Sequence, residues 1–232
     1  MIDLYCERLG PGLLAEPINA LSNGSFLVAA WWLLRLARRR GRIGEGRAPG
    51  AMDPGLLGLA TLALAIGVGS TLFHTFATGW ALAADVIPIL LFQLLVLLLY
   101  LRRRTGVAPA AAAGLCLALL LACLAGRSFP TVLNGSLAYA PTLLVLALLA
   151  WHQRRQGEPA SLLRATALFA LSLSLRSLDH ALCPLWPTGT HLFWHLLNGA
   201  VLVLSGSALV DPAGESGRNS GRNNASIHAG RR

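Results

Sequence analysis

From Pro54 to Ala84 the chain carries no charged side chain, and comparable apolar runs recur along it, most of them ended by arginine. Nothing constrains the fold more. A helix needs about 20 predominantly apolar residues to cross a bilayer, and in hydrocarbon only helices or closed barrels satisfy their own backbone hydrogen bonds. With 55% hydrophobic and 12% charged residues and a mean hydropathy of +0.60, the chain is unlike a soluble domain. The apolar runs place spans at roughly 17–36, 55–76, 82–101, 107–125, 132–151, 161–178 and 189–209. A turn at Ala77-Thr78-Gly79 divides the longest run. The expectation is an all-α polytopic membrane protein, a seven-transmembrane helix bundle. Residues 1–16 form a polar lead, 17–210 the transmembrane catalytic domain, and 211–232 a disordered cytoplasmic tail rich in Gly, Ser, Asn and Arg.

Every basic residue is arginine, and the net charge is +9. The arginines lie between the apolar runs and in the tail, which argues for membrane orientation and against nucleic acid as a partner. With seven spans, one side holds sixteen arginines and the other three (Arg8, Arg127 and Arg176). The richer side is expected to be cytoplasmic, so the N-terminus is outside and the C-terminus inside. Arg164 and Arg176 sit near the ends of the sixth span, where they are expected to snorkel, and Arg176 is spaced to pair with Asp179. Asp3 and Glu7 stand where a cleavable signal would be basic, so the first span is expected to direct insertion. Short loops and arginine use suggest a bacterial inner membrane, with the functional site towards the periplasm.

On this topology the polar residues of three spans share one depth. His191 and His195, four apart at the start of the last span, occupy one helix face about 6 Å apart along the axis. Ser70 and His74 do the same at the outer end of the second span, and Asp85 starts the third. Three neutral imidazoles with one open position are a catalytic zinc arrangement, and zinc lowers the pKa of bound water towards ~7. Asp85 is then placed as a general base and Ser70 as a hydrogen-bond donor to an oxyanion. The plainer alternative is a set of membrane histidines hydrogen-bonded to neighbours. His152, His228 and His180 are read as solvated, with His180 a second partner at the site in the other reading, and Trp194 as packing. Cys116 and Cys123 fall within a span and read as core. Cys6 and Cys183 both fall on the oxidising side, as a disulfide or as two thiols.

Asp3-Leu4-Tyr5-Cys6-Glu7-Arg8, Ala15-Glu16-Pro17-Ile18-Asn19-Ala20-Leu21-Ser22-Asn23, Gly67-Val68-Gly69-Ser70-Thr71-Leu72-Phe73-His74, Asp85 and His191-Leu192-Phe193-Trp194-His195 together resemble the alkaline ceramidase family. That family belongs to a group of seven-span membrane hydrolases that includes the adiponectin receptors. The resemblance implies zinc on His74, His191 and His195, with Ser70 and Asp85 beside its water. It implies hydrolysis of ceramide or a related N-acyl lipid to a fatty acid and a sphingoid base, and a Cys6–Cys183 disulfide. It also implies calcium at the acidic lead, at Asp3, Glu7 and Glu16 with Asn19 as a further oxygen donor. Here Tyr5 precedes the cysteine and Arg8 follows Glu7, so a salt-bridged N-terminal cap is the alternative. The implied partner is a membrane lipid, with no protein partner evident. The rival functions are a non-enzymatic receptor or sensor with a structural zinc, and a haem or metal-ion transporter.

Overall fold

The computed structural model describes residues 1–42 and 50–210, and among them the chain is helical with no strand. The tail and residues 43–49 of the arginine-rich stretch lie outside the described residues. The first apolar run forms two helices, α1 (Pro17–Ser22) and α2 (Gly24–Gly41), which meet at Asn23. Then follow α3 (Pro54–Phe76), α4 (Gly79–Tyr100) with a π-helical turn over Leu101–Thr105, and α5 (Pro109–Arg127). A 3-10 segment (Val132–Tyr139) leads into α6 (Ala140–Arg155), and α7 (Ser161–Leu182) and α8 (His191–Ser207) complete the bundle.

Five of these stretches are long and apolar enough to cross a membrane: Pro54–Phe76, Gly79–Thr105, Pro109–Arg127, Val132–Arg155 and Ser161–Leu182. Helix α2 carries Arg35, Arg38, Arg39 and Arg40 in its second half, and α8 has 17 residues. Leu64, Leu117, Leu121, Leu144 and Leu148 point outwards. An apolar exterior of this kind is suited to hydrocarbon.

The helix ends follow local chemistry. Proline occupies the first turn of α1, α3 and α5, where its missing N–H costs nothing. The Asp53 carboxylate caps α3, accepting from the Leu56 N–H at 2.9 Å. It also pairs with Arg103 and Arg40, which ties the ends of α2, α3 and α4 together at the arginine-rich end. At the opposite end α3 stops at Ala77, left-handed with φ 49°, and α4 starts at Gly79, as the expected turn requires. The fifth expected span departs from expectation. Leu133, Asn134 and Gly135 all have positive φ, so regular α-helix begins only at Ala140.

Helix α3 packs on α2 and α4, α8 packs on α7 and α2, and α5 and α6 close the remaining side. Small residues allow the closest approaches. Pro88 lacks the N–H that would bond the Ala84 carbonyl. Gly69 packs against that carbonyl so closely that a Cβ there would lie 2.0 Å from the oxygen. Ser70 follows Gly69 and Asp85 follows Ala84, so the tight α3–α4 crossing brings them together.

The lead is an integral part of the bundle. Tyr5, Cys6, Arg8 and Glu16 are buried. The Ile2 N–H donates to the Ala77 carbonyl, Arg8 Nη2 donates to the His74 carbonyl at 2.8 Å, and Cys6 is joined to Cys183 by a disulfide. His180, exposed, meets the Leu4 carbonyl through Nε2 at 2.8 Å. The lead thus closes the end of the bundle that carries the histidines.

Candidate metal centre and its cavity

The last turn of α3 supplies His74, and the first two turns of α8 supply His191 and His195. Each is at most 2% exposed, and one ligand atom from each lies within 4.8 Å of the other two. These residues can hold one metal ion. His74 Nε2 and His195 Nε2 are 3.2 Å apart, close to the ~3.3 Å between two nitrogens on a tetrahedral zinc ion.

The outer nitrogens are fixed by neighbours. Glu16 Oε2 lies 2.5 Å from His74 Nδ1, and Ser22 Oγ lies 2.6 Å from His195 Nδ1. A carboxylate or hydroxyl on one ring nitrogen sets the tautomer and turns the other nitrogen's lone pair inwards, as metal-binding histidines require. His191 Nδ1 is buried with no hydrogen-bond partner. Its ring is held by Tyr5, stacked with centroids 3.5 Å apart and planes 16° apart. Burial pushes the Tyr5 phenol well above its ordinary range, an effect Arg176 opposes only in part, so Tyr5 is a neutral wall. Donor chemistry, spacing and an unpaired buried nitrogen all fit a metal ion.

Ser70 Oγ lies 3.4 Å from His195 Nε2, and Asp85 lies beside Ser70. The five residues singled out for the site therefore converge, and the first apolar run, through Ser22 of α1, joins them.

Asp179 shapes the α8 end of the site. Its Oδ1 accepts the Thr190 and His191 N–H groups at 2.6 and 3.0 Å, and its Oδ2 accepts the Cys6 N–H at 3.0 Å. A carboxylate at the start of a helix complements the orphan donors and the dipole there. Gly189 has φ +68°, and a Cβ would lie 2.3 Å from Asp179 Oδ1, so glycine is required on both counts. Asp179 is thus unavailable to Arg176. The expected Arg176–Asp179 pair does not form and Arg176 does not snorkel, because its guanidinium turns inwards to Asn134, Ser136 and Tyr5. His152, expected to be solvated, instead meets the Tyr100 hydroxyl at 3.0 Å.

Two of the three carboxylates expected to hold calcium, those of Glu7 and Glu16, have other partners. Glu7 spends both carboxylate oxygens on the Ile18 and Asn19 N–H groups, at 2.6 and 2.8 Å, and so caps α1. Glu16 pairs with Arg8 Nε at 2.5 Å and with His74, and accepts from Asn19 Nδ2 at 3.2 Å. Burial would raise the Glu16 carboxyl, but hydrogen bonds from His74, Arg8 and Asn19 hold it below the usual range. Asp3 is exposed, and Asn19 Oδ1 is buried without a partner. Among the described residues Asp3, Glu7 and Glu16 do not gather on one point as the histidines do. Arg8 already supplies the positive charge there, which is the salt-bridged cap.

A cavity of about 200 Å³ opens beside His191, lined by Asp85, Tyr5, Tyr139, Trp194, Arg127 and Arg176. A narrower apolar cavity of about 70 Å³ is lined by Phe92, Val96, Leu97, Leu119, Leu146 and Leu149. Ile89 and Trp194 line both, so Trp194 faces a cavity as well as packing on Tyr139 and Phe169.

Sequence reasoning missed the roles of Ser22, Tyr5, Glu16, Asp179 and Arg176. The polar side of the first span, with Asn19, Ser22 and Asn23, was the one available pointer to Ser22. No family model and no curated protein matches the chain, so its function is argued from three imidazoles, a serine and a carboxylate around one cavity.

Proposed function

We propose that the chain is a seven-span, zinc-dependent membrane amidase. It cleaves ceramide or a related N-acyl lipid to a fatty acid and an amine, with the histidine end on the outer side of the membrane. One observation carries this reading: His74, His191 and His195 meet beside Ser70 and Asp85 where a polar cavity adjoins an apolar one. The arginine distribution supports the orientation, α1–α2 and α8 supply the first and last spans, and the resemblance to alkaline ceramidases supports the substrate class.

Three protein ligands leave a position open, which favours a catalytic over a structural ion. When bound, zinc supplies Lewis acidity towards a carbonyl and an acidified water. The remaining work falls to the chain. Asp85 takes the proton of the attacking water and delivers it to the amide nitrogen as the C–N bond breaks. Ser70 donates a hydrogen bond to the oxygen that gains charge as the carbonyl carbon becomes tetrahedral. Glu16 and Ser22 keep His74 and His195 in the required tautomers. The apolar cavity receives the acyl chain and excludes water from it.

The test uses purified full-length protein in neutral detergent, with zinc content and fatty-acid release from labelled ceramide and other N-acyl lipids as readouts. His74→Ala and His191→Ala are expected to lose both zinc and hydrolysis. Asp85→Asn is expected to keep zinc and lose roughly 10²–10⁴ in rate. Full activity without metal would overturn the proposal. So would bound zinc with no turnover of any N-acyl lipid, which is the outcome a receptor with structural zinc predicts.

A further inference from the structure

Arg176 is the least expected occupant of the cavity. It lies on α7 and is 8% exposed, and its guanidinium sits 5.4–5.9 Å from the ring centres of Tyr5, Tyr139 and Trp194. Nη1 donates to the Asn134 carbonyl at 2.7 Å and to Ser136 Oγ at 3.0 Å, and Nη2 donates to the Tyr5 hydroxyl at 3.4 Å. All three acceptors are neutral. Among the described residues Arg176 makes no ion pair, although Asp179 is three positions away. Arg127, exposed at the end of α5, lines the same cavity and is likewise unpaired. Among the described residues Asp85 is the only carboxylate on that wall.

A desolvated guanidinium without a direct ion pair is costly, and ionisable residues inside a membrane protein mark ligand paths by default. The backbone that receives Arg176 is itself strained. Leu133 and Asn134 are consecutive non-glycine residues at positive φ, followed by Gly135 at +72°. Such strain persists where the surroundings over-determine it, and it clusters at ligand clamps. With two arginines against one aspartate, the cavity favours an anion.

We propose that this site takes N-acyl lipids whose amine portion is anionic, the carboxylate of an N-acyl amino acid or a headgroup phosphate, held by Arg176 with Arg127 at the mouth. A planar guanidinium bonds either group in two-point fashion, whereas a neutral diol headgroup leaves the charge unanswered. The proposal rests on the amidase reading for turnover. Water's oxygen joins the acyl carbon, the C–N bond breaks, and the nitrogen takes a proton and leaves as the amino acid or aminophosphate. Binding needs no such assumption.

Zinc-loaded full-length protein in maltoside micelles is tested for binding and hydrolysis of N-oleoylglycine, its neutral methyl ester, N-oleoylethanolamine, its phosphate and free oleate. The anionic amides are expected to bind roughly tenfold or more tightly than their neutral counterparts, with the phosphate arm separating the two anion classes. Arg176→Gln is expected to keep its zinc and lose that preference, and Arg127→Gln to reduce its salt dependence. The comparison of N-oleoylglycine with its methyl ester uses unaltered protein, so it stands even if a variant fails to fold. Equal binding of acid and ester, a preference that survives Arg176→Gln, or oleate binding as tightly as N-oleoylglycine overturns the proposal. Anion preference without cleavage of any amide removes the amidase reading and leaves this one. Cleavage without preference does the reverse.

Discussion

Glu16 and His74, 58 residues apart, meet through Oε2 and Nδ1 at 2.5 Å in the buried end of the bundle. The same carboxylate pairs with Arg8, which in turn donates to the His74 carbonyl. The lead, through this one acid, controls the ring orientation of a metal ligand on α3. Replacing a carboxylate behind a metal-binding histidine typically costs 10–100-fold in metal affinity. Glu16→Gln is therefore expected to weaken zinc binding by about that factor, read by chelator competition. Unchanged affinity would show that Glu16 serves only Arg8.

The contact of Gly69 with the Ala84 carbonyl makes a second prediction. A methyl group at Gly69 must force α3 and α4 apart, and overpacking of this kind costs about 1–3 kcal/mol. Gly69→Ala should lower the melting temperature in detergent and, by separating Ser70 from Asp85, slow hydrolysis. At Gly114 on α5 a methyl group would enter open space, with no atom within 4 Å, so Gly114→Ala should leave stability equal or slightly higher. Equal behaviour of the two variants would contradict the packing argument.

At the other end of the bundle, burial would raise the Asp53 carboxyl, but Arg103, the Leu56 N–H and Arg40 together hold it below its usual range. A carboxyl depressed in the folded state adds stability above its unfolded pKa of ~3.9, and that stability is lost as pH falls through the folded value. Asp53→Asn should therefore melt below the parent at pH 7. The gap should close as both are acidified below pH 4. A gap independent of pH would assign the effect to capping alone.

The Cys6–Cys183 disulfide ties the lead to the loop before α8, and Cys6 also donates its N–H to Asp179. A crosslink closing so long a loop contributes about 2–4 kcal/mol. Cys6→Ser, or reduction of the parent, should lower the melting temperature. It should also speed zinc loss, since Tyr5 next door stacks on His191. Thermal melts and zinc release with and without reductant measure both effects.

Much of the candidate site was legible because a helix has a fixed period. His191 with His195, and Ser70 with His74, share faces by spacing alone. The turn at Ala77–Gly79 followed from its residues, and Asp85 stood out as a charge at the start of an apolar run. The Arg176–Asp179 pair failed because spacing judged each side chain by its neighbours in sequence, whereas Asp179 and Arg176 find their partners across the fold.

The order of amino acids by itself determined an all-helical chain of apolar segments and the faces on which its histidines, serine and aspartate lie, because hydrophobic periodicity and charge placement act within one helix. Only the tertiary structure decided that Glu16 and Ser22 hold the rings of His74 and His195, that Tyr5 backs His191, and that Arg176 faces a cavity. Those contacts depend on which helix faces meet and how the lead folds back, and packing among distant segments sets both.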